Sequence, residues 1–203
     1  MREFKKSLIA PPIGSTHFSD LKSNLFSNFQ FTDIDLEIGA GVGWHSIQYA
    51  RANPTRFLIS IEHTRSKFTR FQARHAHHPE LKNLLPIHAD AIRWVTHCLE
   101  PASLSRCFIL YPNPEPKAPN KRWLRMPFMR ALLETLRADG KLTLATNEFS
   151  YFSEALEYGN IHWGLDFELI RAFDSGKPRT HFEKKYLERG QPCFEFTATK
   201  RKI

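Results

Sequence analysis

Short apolar runs alternate with amphipathic stretches along almost the whole chain, and that alternation restricts the fold more than any other feature. IDLEIGAG, RFLISIE, NLLPIHAD, RCFILYP and KLTLATNE read as five strands. VGWHSIQYARANP, FTRFQARHAHH, AIRWVTHCLE and NKRWLRMPFMRALLETLRADG read as the helices between them, the last a long helix closed by Gly140. FSYFSEALEYG reads as a further helix, and FELIRAF and CFEFTATKR as two closing, antiparallel strands. Strands that alternate with helices pair in parallel through crossovers, which predicts an open α/β sheet of about seven strands covered on both faces. Residues 1–203 are expected to form one domain, with 1–30 as a basic arm and helix packed on it. Ligands in such sheets bind beyond the carboxyl ends of the strands. The residues just after each strand are therefore the place to look for chemistry.

Composition excludes several alternatives. No apolar run approaches the length of a membrane span, and MREFKKSLIAPPIG lacks the apolar centre of a signal peptide. Cys98, Cys107 and Cys193 are scattered, with neither a disulfide framework nor zinc spacing, so a reducing cytoplasm is the expected compartment. His75, His77 and His78 fit no metal-ligand spacing either, and neither metal nor membrane is expected as a partner. The formal net charge of +8 favours a polyanion.

The first strand ends Glu37-Ile38-Gly39-Ala40-Gly41-Val42-Gly43. Glycines permit a tight turn and close approach of a ligand to the backbone. The spacing is G-x-G-x-G rather than the dinucleotide G-x-G-x-x-G, and an acid stands two residues before the first glycine. An acid there suits a cationic ligand, such as S-adenosylmethionine with its sulfonium and ammonium, better than a pyrophosphate. Glu62 ends the second strand, where a carboxylate can accept both ribose hydroxyls of an adenosine. Asp90 follows the third, positioned to cap the next helix, to accept an adenine amine beside the Ala91 amide, or both. Three acids in register after three successive strands favour a nucleoside ligand.

After the fourth strand comes YPNPEPKAPNKRW, with four prolines and three cationic side chains in thirteen residues. Pro112, Pro114 and Pro116 would stiffen this loop by fixing φ and removing donors. Lys117, Lys121, Arg122 and Arg125 would then face an anionic partner. Lys5, Lys6, Lys184, Lys185 and the terminal Lys200-Arg201-Lys202 could widen that basic surface.

Taken in order, LEIGAGVG, SIEHT, HADA, YPNPEPKAPNKRW, ATNEFSYF and PRTHFEKKY resemble the bacterial tRNA (guanine-N7)-methyltransferases over roughly residues 34–196. The resemblance implies the class I methyltransferase (Rossmann-like) fold, a mostly parallel seven-stranded sheet with helices on both faces. It implies S-adenosyl-L-methionine as donor, S-adenosyl-L-homocysteine as product, and tRNA as partner, the methyl going to a guanine at variable-loop position 46. It assigns Glu37, Gly39, Gly41, Gly43, Glu62, His63, Asp90, Ala91 and Asn113 to the cofactor. It assigns Lys117, Lys121, Arg122, Asn147, Thr180, His181, Phe182 and Glu183 to the substrate, and Asn113 to catalysis. Such an enzyme is expected in the cytoplasm as a monomer or homodimer.

Two departures stand out. The family's aspartate after the fourth strand is Asn113 here, with Glu115 in place of its tryptophan, and its aspartate after the fifth strand is Asn147. Guanine N7 carries a lone pair and no proton, so positioning alone can drive its attack on a methyl group. Asparagine keeps an acceptor but loses the charge, and charge-assisted hydrogen bonds are roughly twice as strong as neutral ones. Weaker activity is expected, with Glu183 or Glu115 as the candidate replacement charge. Two other readings stay open: a methyltransferase with a different RNA or small-molecule target, and a catalytically impaired RNA-binding relic.

Overall fold

The computed structural model describes residues 4–10 and 31–200. One seven-stranded sheet runs in the order β3-β2-β1-β4-β5-β7-β6. Its strands are β1 (Asp33–Ile38), β2 (Arg56–Glu62), β3 (Leu84–His88), β4 (Leu104–Leu110), β5 (Leu136–Thr146), β6 (Leu165–Phe173) and β7 (Cys193–Lys200). β1 to β5 pair in parallel, and β7 is inserted antiparallel between β5 and β6. The helices are α1 (Trp44–Ala52), α2 (Arg65–Ala76), α3 (Ala91–Cys98), α4 (Met129–Thr135), α5 (Phe149–Trp163) and α6 (His181–Leu187).

The chain moves outward from β1 through β2 to β3, then returns to β4 on the other side of β1. Right-handed crossovers in opposite directions put helices on opposite faces. Two core clusters record this. Ile34, Leu36 and Ile38 pack toward α3, α4 and α5 with Trp94, Met129 and Phe152, while Leu58 packs toward Ile47 and Phe71 of α1 and α2. The switch point of the sheet lies between β1 and β4, where open α/β folds place their ligands.

Strand alternation also sends Asp35 and Glu37 of β1 to the α1 face, both buried. At the amino edge of the sheet Arg56 grips Asp35 with Nη2 at 2.5 Å and Nε at 2.7 Å, and reaches Asp33 at 2.7 Å. Tyr49 donates to Asp35 at 2.7 Å, and burial, reinforced by Asp35, pushes its phenol up to about 12. This cluster ties β1 to β2 far from the carboxyl edge and leaves that edge free for other work.

The long helix expected over residues 120–140 is not formed. The segment makes two short 3₁₀ turns, Pro119–Lys121 and Trp123–Arg125, before α4. Pro127 pushes Met126 out of the helical region, to ψ 136. Gly140, expected to end a helix, lies inside β5, where a Cβ would meet Arg137 O at 2.9 Å. The pairing of β4 with β5 jumps from Leu104–Leu136 to Arg106–Lys141 around it. Helix α6, absent from the sequence reading, opens on Thr180, whose side chain accepts from Glu183 N.

Of the expected N-terminal arm, residues 1–3 and 11–30 lie outside the described residues. The described part packs Phe4 edge-on against Phe128, with His97 Nε2 2.6 Å from Ile9 O. Among the described residues no helix is long and apolar enough to cross a membrane.

Candidate active site

Five parallel strands end together at one edge: Ile38 lies opposite Ile61 and Ile109, Glu62 opposite His88, and Leu110 opposite Ala145. Behind β1 the glycine turn is held by Gly39 and Ala40, whose amides both donate to Ile61 O. Gly41 takes φ +59° and Gly43 φ +77°. A Cβ on Gly43 would stand 2.0 Å from the Phe71 ring, whereas one on Gly41 would meet nothing within 4 Å. The last glycine therefore seats the turn on α2, and the middle one leaves space above the backbone.

Glu62 holds this turn from the side. One oxygen accepts from Gly41 N at 2.8 Å and the other from Thr64 N at 2.7 Å. Each carboxylate oxygen can accept twice, so one acceptor site per oxygen is left for a diol. Glu37 stands by the glycine turn with its carboxylate already engaged. Its carboxylate is buried under α1, accepting from Ser46 Oγ at 2.6 Å, with His45 Nδ1 at 3.1 Å. It borders the hollow by the glycine turn, and much of its hydrogen-bonding capacity is met within the protein. Asp90 caps α3 through Arg93 N at 3.1 Å and lines the same rim as Glu62, which leaves both readings of this residue compatible. His63 is on that rim too, its carbonyl 3.0 Å from His88 Nε2.

Beside Glu62 and Asp90, Ile38, Ile61, Ile92 and Trp123 form an apolar slot. A flat heterocycle fits between such walls with polar groups at the rim. The slot opens into a cleft of about 700 Å³ that also holds Asn113, Glu115, Lys121, Asn147, Phe182 and Tyr186. Residues that follow β1, β2, β4 and β5 thus line one cleft.

The loop after β4 owes its shape to backbone as well as proline. Tyr111 sits at φ +51° and Glu115 at φ +46°. Non-glycine residues enter this region at a cost, and such strain concentrates at functional sites. Tyr111 is anchored by its amide on Ala145 O at 2.7 Å and its ring beside Tyr186. Burial drives its phenol far above the usual tyrosine range, so it stays neutral. Asn113 is exposed and donates Nδ2–H to Glu115 Oε1 at 2.8 Å. Its own oxygen is left as an acceptor. Asn147 donates to Glu148 at 3.0 Å.

Three expectations change. Arg122 does not face outward: its Nε donates to Pro114 O at 2.8 Å, its Nη1 pairs with Glu154 at 3.0 Å, and it lies over the Tyr151 ring. It braces the loop from behind. Glu183 is no spare charge, because it is buried, accepts from Arg179 N at 2.8 Å, and pairs with the Arg179 guanidinium at 2.9 Å. Arg179 pairs in turn with Glu195. Lys117 is exposed and lies outside the cleft, whereas Lys121 lines it. The carboxylate that reaches Asn113 is that of Glu115. The slot wall Trp123, Tyr186 and the strained Tyr111 were not assigned to the site from sequence. The T-x-x-E capping signature of α6 was legible, and it would have placed Tyr186 on that helix.

The chain matches a family described as "Putative methyltransferase" over residues 32–196. It is 31% identical over 124 residues to a tRNA (guanine-N(7)-)-methyltransferase of Campylobacter jejuni (strain RM1221), covering 61% of this chain and 31% of that one. It is 28% identical over 165 residues to one of Paramagnetospirillum magneticum, covering 78% and 69%. The chain thus spans about a third of the Campylobacter protein. Among solved structures, the 16S rRNA methyltransferase KamB superposes with a TM-score of 0.69 at 18% identity, covering 93% and 96% of the two chains. At that identity the likeness concerns the fold alone.

Proposed function

As the chain belongs to this methyltransferase family, we propose that it transfers a methyl group from S-adenosyl-L-methionine to N7 of a guanine in tRNA, at variable-loop position 46. The observation that carries the reading is the cleft lined by Glu62, Asn113 and Asn147, with the slot of Asp90 joined to it at Glu62. The ordered resemblance to curated enzymes of that activity supports the choice of substrate.

The residues fit the donor. The slot of Ile38, Ile61, Ile92 and Trp123 suits an adenine, with Asp90 at its rim. Glu62 would take the ribose hydroxyls with its remaining acceptor sites, and His63 and Ala91 flank them. The open space over Gly39 and Gly41 suits the amino-acid portion, with Glu37 below it. When bound, the donor supplies an electrophilic methyl group on a sulfonium.

No residue has to remove a proton, because N7 attacks with its own lone pair. The protein's work is to orient the base and favour the positive charge of the product. Asn113 Oδ1 and Asn147 Oδ1 would accept from the guanine N1–H and exocyclic amine, and Glu115, tethered through Asn113, would supply the negative field. Lys121 would meet a neighbouring phosphate, and Thr180, His181 and Phe182 would border the RNA. The site operates in the cytoplasm on this reading.

The test is methyl transfer from labelled donor to bulk tRNA taken from cells lacking guanine-N7 methylation. The natural chain should label this RNA, and Glu62→Ala should abolish both labelling and donor binding. Donor binding with no labelling of tRNA would remove the substrate assignment.

A further inference from the structure

Helix α2 carries Arg65, Lys67, Arg70 and Arg74 and no carboxylate. Lys67, Arg70 and Arg74 are spaced by three and four residues, which sets them on one side of the helix. No carboxylate among the described residues lies within ion-pair distance of any of the three. Several arginines elsewhere are matched: Arg56 to Asp33 and Asp35, Arg122 and Arg125 to Glu154, Arg171 and Arg179 to Glu195. Like charges at this spacing repel mildly, and nothing in α2 offsets that repulsion.

The stripe faces aromatic rings contributed by two other helices. Trp44 and His181 have ring centroids 6.3 Å apart, and with Val42, Arg70 and Arg74 they enclose a hollow of about 350 Å³. Lys184 Nζ lies 5.8 Å from the Trp44 centroid, and Lys67 Nζ 5.8 Å from that of Phe182. Phe182 is 38% exposed, uncommon for a ring of that size. It lines both the hollow beside Lys67 and Arg70 and the cleft that holds Asn113. One continuous rim therefore leads from the cations of α2, across Phe182, into the candidate active site.

We propose that this rim is a docking track for RNA, with the sugar–phosphate backbone along Lys67, Arg70 and Arg74 and an unstacked base on Phe182. The inference rests on the reading of the substrate as tRNA. Phosphates satisfy cations that have no carboxylate partner among the described residues, and exposed aromatics beside them suit single-stranded bases better than a protein surface. The track would present the RNA so that a flanking nucleotide enters the cleft next to Asn113.

The experiment is a salt titration of fluorescent bulk tRNA binding to the full chain. It compares the natural protein with Lys67→Gln/Arg70→Gln/Arg74→Gln, with Phe182→Ala, and with the control Lys82→Gln/Arg130→Gln/Lys177→Gln, which removes the same charge elsewhere. S-adenosyl-L-homocysteine binding is measured on each by calorimetry, and folding is checked by thermal melting. Each phosphate contact to a single strand contributes roughly 0.7 to the slope of log affinity against log salt, so the stripe variant should lose about 2 from that slope. Its affinity should fall at least about tenfold near 0.1 M salt, with melting unchanged and any loss of cofactor affinity smaller than the loss of RNA affinity. Phe182→Ala should weaken binding about fivefold or more with the slope intact. The control should stay close to the natural protein.

Equal losses in control and stripe variants would overturn the track in favour of net charge. Unchanged RNA binding in the stripe variant would overturn it while leaving the methyltransferase reading in place. A loss of cofactor binding with RNA binding retained would move Lys67 and Arg70 to the cofactor and overturn it as well. Stripe-dependent RNA binding with no 7-methylguanosine formed would uphold the track and remove the assigned reaction. A natural chain that binds no tRNA would remove both.

Discussion

Asn113 keeps an acceptor over the cleft and gives up a charge. On the proposed reading Glu115, itself at positive φ and within hydrogen-bond distance of the Asn113 amide, would compensate. A carboxylate one residue further from the base exerts a weaker pull than one touching it, since the interaction falls with distance and rises with desolvation. Asn113→Asp should therefore raise the methyl-transfer rate by roughly five- to tenfold, the difference between a neutral and a charged hydrogen bond at about 1 kcal/mol. Single-turnover transfer, with donor affinity measured in parallel, checks this. Glu115→Gln should lower the same rate by a similar factor. Sequence could name both glutamates as candidate charges and could not choose between them, because the choice depends on Arg179. That arginine claims Glu183 through an ion pair, and burial makes the claim permanent.

At the scale of elements, the glycine turn does two mechanically distinct jobs that look identical in the sequence. Gly43 is closed off by Phe71, and Gly41 opens on the ligand space. Gly43→Ala should destabilise the fold by roughly 2–4 kcal/mol, combining the left-handed backbone penalty with overpacking against a ring. Gly41→Ala should cost only about 1 kcal/mol in urea unfolding and show its main effect as weaker donor binding. The strand–helix alternation was legible for β1 to β4 because each strand is a run of apolar residues ended by glycine, acid or proline. It failed over residues 120–140, where apolar residues at helical spacing are shared among two 3₁₀ turns, α4 and the start of β5. Periodicity reports which residues are buried, and Pro127 decides how many elements bury them. Helix α6 was missed for the opposite reason: it is seven residues long and buries mainly Glu183 on its own account.

At the scale of the whole molecule, the amino edge of the sheet pairs Arg56 and Arg137 with Asp33 and Asp35, while Lys67, Arg70 and Arg74 of α2 have no carboxylate partner among the described residues. The positions after each strand could be foreseen from topology, which is why Glu62 and Asp90 could be named as candidates, whereas the roles expected of Asn113 and Asn147 came from the family resemblance. The matched cluster at the other edge could not, since its members come from β1, β2, β4 and β5 and only pairing brings them together. That cluster contributes to stability in acid through Asp33. A hydrogen bond from Ser105, then one from Thr32 and the Arg56 and Arg137 charges, hold the Asp33 carboxyl below its usual range. A lowered folded-state pKa gives stability that is present above the unfolded value of about 3.9 and is lost as pH falls through the folded value. Asp33→Asn should accordingly be less stable than the natural chain in urea at pH 7, with the gap narrowing as the pH is taken below about 4.

The most direct measurement of the central claim is the identity of the methylated nucleoside. Bulk tRNA lacking guanine-N7 methylation is treated with the natural chain and donor, digested, and resolved by mass and retention, with Asn113→Asp alongside. The account predicts 7-methylguanosine from both proteins, formed faster by Asn113→Asp. Methylation on an exocyclic amine, or no methylated nucleoside from either protein while the donor still binds, would contradict it.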